Sequence, residues 1–305
     1  MTMNETAETF LDEDFLRKLE KLKILIQRGK KGPVRGEHAS WRSGTSLEFL
    51  DYRKYHVGDD FRYVDWNVYG RLDKLFIKLF RSEEDLNIHI LLDMSRSMGS
   101  GNPSKEIYAK KIVAALGYIG LANLDRVGIT AFSDSLGAMN SPERGRKVYV
   151  SMVRHLLSLR PEGGTDINSC LAEYAATCKR PGIAIILSDL LDPNGVEIGL
   201  KALRYGNFDI TLINFDITLI QILDPEELHP TLGGYLMMKE LESGDTKRIT
   251  IDHQLQKMYR KNISSLINHV KEFCRNNGID YFMSDTGIPF EDFLLDYLTK
   301  TTLFN

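Results

Sequence analysis

The sequence is poor in cysteine, and the three it has, Cys170, Cys178 and Cys274, form no CxxC pair and leave one over. That excludes a disulfide-stapled scaffold and fits a reducing compartment. No neighbouring feature would lower a thiol pKa, so the thiols read as buried rather than catalytic. A large charge of either sign is also lacking: the formal net charge of -3 gives no bulk attraction to nucleic acid or to an anionic membrane. Apolar runs are short. The stretch Ala184–Leu187 falls far below the roughly 20 residues that span a bilayer. The opening MTMNETAETFLDEDF is acidic where a secretory signal is basic, and no apolar stretch follows it, so a cytoplasmic protein without membrane insertion is expected. The histidines share no ligand spacing, which gives zinc no foothold; His89, inside an apolar strand, is the one nearest the residues singled out below. HExxH, GxSxG and a glycine-rich phosphate loop with lysine are absent too.

What is present is a globular composition, 43% hydrophobic and 27% charged over 305 residues. It suits one sizeable α/β domain with attached elements. Residues 12 to 28 carry Phe15, Leu19, Leu22 and Ile26 at helical spacing, with Asp12 to cap the start and Gly29 to end it. Arg28, Lys30 and Lys31 follow; with no aromatics interleaved, they suit the end of a helix dipole better than a nucleic-acid arm. Residues 36 to 70 are dense in Gly, Asp, Arg and aromatics without periodicity, and read as ordered but irregular. KLFIKLFR (74 to 81) and LNIHILL (86 to 92) read as two antiparallel strands joined by a turn.

Strand and helix then alternate, the pattern of a mainly parallel sheet with helices on both faces. Helices are expected at 104 to 124, 144 to 160, 167 to 178, 195 to 206, 256 to 276 and 289 to 300. Strands are expected at 126 to 132, 183 to 188, 208 to 215 and 279 to 283. A small inserted hairpin interrupts the pattern within 216 to 252, around a Glu-Ser-Gly-Asp turn. No internal repeat is read. The division is thus residues 1 to 85, helix plus irregular segment packed on the main domain, and 86 to 305, the main domain with its hairpin.

One constellation carries chemistry. Asp93, Ser95 and Ser97 stand in DMSRS, where an apolar strand breaks into a glycine-containing loop. Serines after a strand often only cap the next helix. Two further features add weight: Thr165 in GGTD, just before a helix, and Asp189 at the end of IAIILS. All five offer oxygen, the donor of hard cations such as Mg²⁺. Both aspartates fall at the carboxyl ends of strands expected at the centre of the sheet, where open α/β sheets bind ligands.

This combination resembles the metal-ion-dependent adhesion site of von Willebrand factor A domains, over roughly residues 86 to 300. The resemblance implies a von Willebrand A-like, Rossmann-like fold. It also implies one divalent cation, Mg²⁺ ahead of Mn²⁺, with Ser95, Ser97 and Thr165 as hydroxyl ligands and Asp93 and Asp189 supplying charge. An open position would accept a Glu or Asp of a protein partner. Upstream, EFLDYRKYHVGDDFRYVDWNVYGRLDKLFIKLF resembles the signature of the bacterial domain-of-unknown-function 58 family. It departs at Tyr69-Gly70-Arg71, where Ala-Arg is common after Asp-Trp. Members are encoded beside MoxR-type AAA+ ATPases, which implies such an ATPase as partner, and this chain resembles the short soluble form. For Arg53, Asp59, Asp60, Arg62, Asp65 and Trp66 the alternating charges suit an internal hydrogen-bond and ion-pair network, with a partner-docking surface as the alternative.

The expected function is a non-enzymatic, metal-dependent protein-interaction module. The alternative is a metal-dependent hydrolase such as a phosphatase, since Mg²⁺ also polarises phosphoryl oxygens; it lacks a second carboxylate cluster, and DMSRS lacks the second aspartate of Asp-x-Asp phosphotransferases. Nucleic-acid binding through Arg28, Lys30, Lys31, Arg35 and Arg42 is disfavoured by the acidic balance.

Overall fold

The computed structural model describes residues 17, 18, 20, 47–56, 61, 64–82, 86–205, 215–231, 234–239 and 246–301. Most of the expected 12 to 28 helix lies outside them, although Arg17, Lys18 and Glu20 are helical. The chain divides into two compact units, one formed by Met1–Lys31 with Leu86–Asn305, the other by Gly32–Asp85.

In the smaller unit, β1 (Leu47–Lys54) precedes α1 (Trp66–Leu72) and pairs antiparallel with β2 (Phe76–Ser82). The segment expected to be irregular thus contains a strand and most of a helix. Asp65 organises it. Its Oδ1 accepts from the amides of Asn67 and Val68 at 2.9 and 3.2 Å, capping α1, and its Oδ2 accepts from the Tyr52 hydroxyl at 2.8 Å. One buried carboxylate ties the helix start to the strand. Asp59, Asp60 and Arg62 lie outside the described residues.

The larger unit opens with β3 (Asn87–Asp93). Here the structure corrects an expectation: β2 and β3 do not form a hairpin, because β3 pairs in parallel with two later strands. Nearly every β3 residue is buried, and a run covered on both faces belongs inside a parallel sheet. In chain order there follow α2 (Lys105–Ala122), β4 (Arg126–Phe132), α3 (Arg146–Ser158), α4 (Ile167–Thr177) and β5 (Ile183–Ser188). Then come α5 (Glu197–Tyr205), β6 (Asp216–Leu223), α6 (Pro225–Leu228), β7 (Gly234–Lys239) and β8 (Thr246–Ile251). The last three are α7 (His253–Asn276), β9 (Asp280–Asp285) and α8 (Phe290–Lys300). β7 and β8 make a separate antiparallel pair, so the expected hairpin exists but starts beyond β6. Side chains set several helix starts: Ser104 accepts from the Ile107 amide, Asp166 from Ser169 and Asp252 from Leu255.

The main sheet runs β4-β3-β5-β6-β9, parallel throughout. Alternation along β3 builds two cores. Ile88, Ile90 and Leu92 join the apolar residues of α2 and α8 on one face, while Leu91 joins α4, α5 and α7 on the other. His89 sits among that second set. Its Nδ1 is 2.7 Å from the Tyr174 hydroxyl, Phe215 meets its ring edge-on, and burial lowers its pKa to about 4. It is a neutral core histidine. Tyr108 is likewise a packing residue, bonded to Ser284 at 2.8 Å, and Tyr118 meets Tyr149 edge-on. All three cysteines are buried, and burial raises the Cys170 and Cys274 pKa values to about 12, as inert thiols require. No described helix is long and apolar enough to cross a membrane.

Apart from Phe215, the strand expected at 208 to 215 lies outside the described residues. The chain carries FDITLI twice, at 208 to 213 and 215 to 220, so a short tandem repeat is present after all. β6 begins in the second copy. That copy continues as Gln221-Ile222-Leu223, all fully buried, with Gln221 donating to the Asp189 carbonyl at 2.9 Å and accepting from Tyr281 at 2.6 Å. The first copy continues as Asn214-Phe215-Asp216. Placed in the same register, it would bury an aspartate at the position Leu223 fills, and burying an unpaired carboxylate is costly.

Candidate cation site

The site follows from topology. The connection leaving β3 passes through α2 on one face of the sheet, and the one leaving neighbouring β5 passes through α5 on the opposite face. A crevice opens at the carboxyl edge where adjacent connections diverge. Asp93 ends β3, and Asp189 directly follows Ser188, the last residue of β5, so the chain sets two carboxylates side by side in that crevice.

The loop after β3 turns at once. The Ser95 amide donates to Asp93 Oδ1 at 2.8 Å, and residues Arg96–Gly99 form a single 3-10 turn. This brings the Ser95 and Ser97 hydroxyl oxygens to 3.1 Å from each other. Thr165 belongs to a loop stitched to this one. The Glu162 amide donates to the Met94 carbonyl at 2.9 Å, Arg96 to Gly163 at 3.3 Å, and Asp166 to Ser133 at 3.0 Å. The seam needs glycine at 163: its φ is +77°, and a Cβ there would lie 3.0 Å from Asp134 Oδ2. The structure therefore brings Asp93, Ser95, Ser97 and Asp189 together and sets the half-buried Thr165 on the loop joined to them.

Both aspartates are fully buried, and each of their oxygens accepts a hydrogen bond. Asp93 Oδ2 accepts from the Ser188 hydroxyl at 2.5 Å, opposite the Ser95 amide on Oδ1. Asp189 Oδ1 accepts from the Leu191 amide at 3.1 Å, and its Oδ2 from Lys105 Nζ at 2.7 Å. Lys105 also donates to Glu227 Oε1 at 2.5 Å. Burial, reinforced by the Asp189 charge, raises the Asp93 pKa to about 6 against the pull of Ser188 and Ser95. Burial alone would lower Lys105, but Asp189 and Glu227 more than offset it and raise its pKa. The cluster thus holds more negative charge than its one ammonium neutralises. Among the described residues no three His, Cys, Asp or Glu are arranged to hold a metal.

Lys105, Glu227 and Ser188 escaped the reading of the sequence. One signal was there for Lys105, the first residue of α2: a helix N-terminus disfavours a cation, so a lysine needs carboxylates nearby. Glu227 closes a capping box with Asp224 on α6, but only the fold shows that its other oxygen reaches Lys105 across 122 residues.

A family model described as protein of unknown function DUF58 matches residues 51–266. An uncharacterized protein of Mycobacterium tuberculosis strain H37Rv is 24% identical over 244 residues, covering 78% of this chain and 74% of its own. One from Mycobacterium bovis gives the same figures. Among solved structures, the conserved hypothetical protein BatB from Bacteroides thetaiotaomicron is 16% identical with a TM-score of 0.44, over 71% of this chain and 100% of that one. An aerotolerance-related membrane protein from Bacteroides fragilis is 15% identical with a TM-score of 0.42, over 71% and 100%.

Proposed function

From the premise that the chain belongs to the DUF58 family, we propose that it is a non-enzymatic protein-interaction module with a von Willebrand A-like larger unit, and that its cation site is of the metal-ion-dependent adhesion type. One observation carries the reading. Two buried carboxylates at the carboxyl ends of adjacent strands, Asp93 and Asp189, lie against a loop whose Ser95 and Ser97 hydroxyls point together, beside the loop that bears Thr165. Ser95, Ser97 and Thr165 would hold one divalent cation, Mg²⁺ in preference to Mn²⁺, by their hydroxyls. Asp93 and Asp189 supply charge, because amide, hydroxyl and ammonium donors already fix their oxygens. A cation bound mainly by neutral hydroxyls keeps positive charge with which to attract a Glu or Asp carboxylate of the partner.

The partner we propose is a MoxR-type AAA+ ATPase presenting such a carboxylate. The test is capture of the purified ATPase by this chain with Mg²⁺, with chelator, and by Asp93→Ala. Capture lost in the last two settings supports the reading, and capture that persists in both overturns it.

A further inference from the structure

We infer that Lys105 is a specificity-determining residue of the cation site: a tethered ammonium that occupies Asp189 and leaves the cluster short of charge by what one divalent ion supplies. The inference rests on the proposed cation site and adds to it the source of its preference for charge.

Lys105 is wholly buried, as a lysine almost never is unless paired. Its stem starts at the N-terminal end of α2, whose dipole repels it, and its Nζ spans 2.7 Å to Asp189 on the sheet edge and 2.5 Å to Glu227 on α6. Two carboxylates hold it there. Asp93, which accepts from Ser188 beside Asp189 in the chain, stands with Asp189 and Glu227 against this ammonium, and among these four described groups two negative charges are left over. A monovalent ion leaves that charge half balanced, and a trivalent ion overshoots it in a buried setting where an unbalanced charge is costly. Lys105 also bears on how Asp189 acts. With Oδ2 accepting from the ammonium and Oδ1 from the Leu191 amide, part of Asp189's acceptor capacity is already used, which favours the serine hydroxyls for bonding and leaves Asp189 chiefly to supply charge.

The experiment compares Mg²⁺ affinity by titration calorimetry with Tb³⁺ affinity by luminescence, for the intact chain, Lys105→Gln, Lys105→Arg and Glu227→Gln, each first checked for folding by circular dichroism. Lys105→Gln is expected to tighten both ions and to shift preference toward Tb³⁺ by on the order of tenfold. Lys105→Arg, which keeps the charge, stays near the parent preference. Glu227→Gln weakens Mg²⁺ by on the order of tenfold, because the ammonium is then less balanced. An unchanged Tb³⁺ to Mg²⁺ preference in Lys105→Gln overturns the inference while leaving the cation site standing. If Lys105→Gln does not fold, unchanged Mg²⁺ affinity in Glu227→Gln, whose side chain is partly exposed, overturns it in the same way. A parent chain that binds neither ion sinks the site and the inference together.

Discussion

Asp93→Asn should stabilise the cation-free protein at neutral pH while abolishing its response to Mg²⁺. Burial and the neighbouring Asp189 raise the folded Asp93 from 3.8 to about 6. Between those two pH values the folded state binds more protons than the unfolded state, so stability falls as pH rises, and the full cost is present above about 6. Carrying that charge costs about 3 kcal/mol. Asn has the same shape and keeps an acceptor for the Ser95 amide, but it forfeits the extra strength of a charged acceptor toward Ser95 and Ser188, about 1 kcal/mol. The net gain is about 2 kcal/mol at pH 8, a rise in Tm of roughly 4 to 8 °C for a unit of this size.

The assay is thermal unfolding in chelator at pH 8 and pH 4, with and without Mg²⁺. At pH 4 the parent Asp93 is protonated when folded, so the Asn variant gains nothing. Added Mg²⁺ at a hundredfold excess over its Kd should stabilise only the parent, by about 2.7 kcal/mol. An Asn variant that loses as much stability at pH 8 as at pH 4 would refute the idea that this carboxylate is held at a cost in the absence of a cation.

Three other outcomes follow from particular contacts. Gly163→Ala forces a side chain into φ +77° and against Asp134, so it should cost about 1 to 2 kcal/mol and weaken Mg²⁺ binding by displacing the Thr165 loop; calorimetry on the folded variant checks both. His89→Leu removes a neutral core group remote from the donor set, so it should lower Tm yet leave Mg²⁺ affinity within about twofold. A phosphatase and esterase screen with Mg²⁺ or Mn²⁺ should give no turnover that Asp93→Ala abolishes, and such turnover would restore the hydrolase reading.

Where periodicity decided an element, the sequence was legible. RVGITAF and IAIILS form strands at the expected residues, because residues that can be buried on both faces suit little besides an inner parallel strand. Where two segments were equally apolar, it was not. KLFIKLFR and LNIHILL look like partners across a turn, and what parts them is long-range: β3 finds two neighbours in later strands, and β2 finds β1. The duplicated FDITLI makes the same point within one segment. Local propensity is identical in both copies and does not mark the second as the start of β6, whose Gln221 reaches Asp189 and Tyr281.

The site divides along the same line. Asp93, Ser95 and Ser97 are two residues apart in succession, and short spacing survives in sequence as a motif. Lys105 and Glu227 are 122 residues apart and meet only because α2 starts, and α6 follows β6, at the same edge of the sheet. A lysine beginning a helix is locally unfavourable, and local misfits of that kind are where tertiary contacts should be sought. Here the misfit marks the ammonium that, among the described residues, pairs with Asp189 and Glu227, a group that no short motif contains.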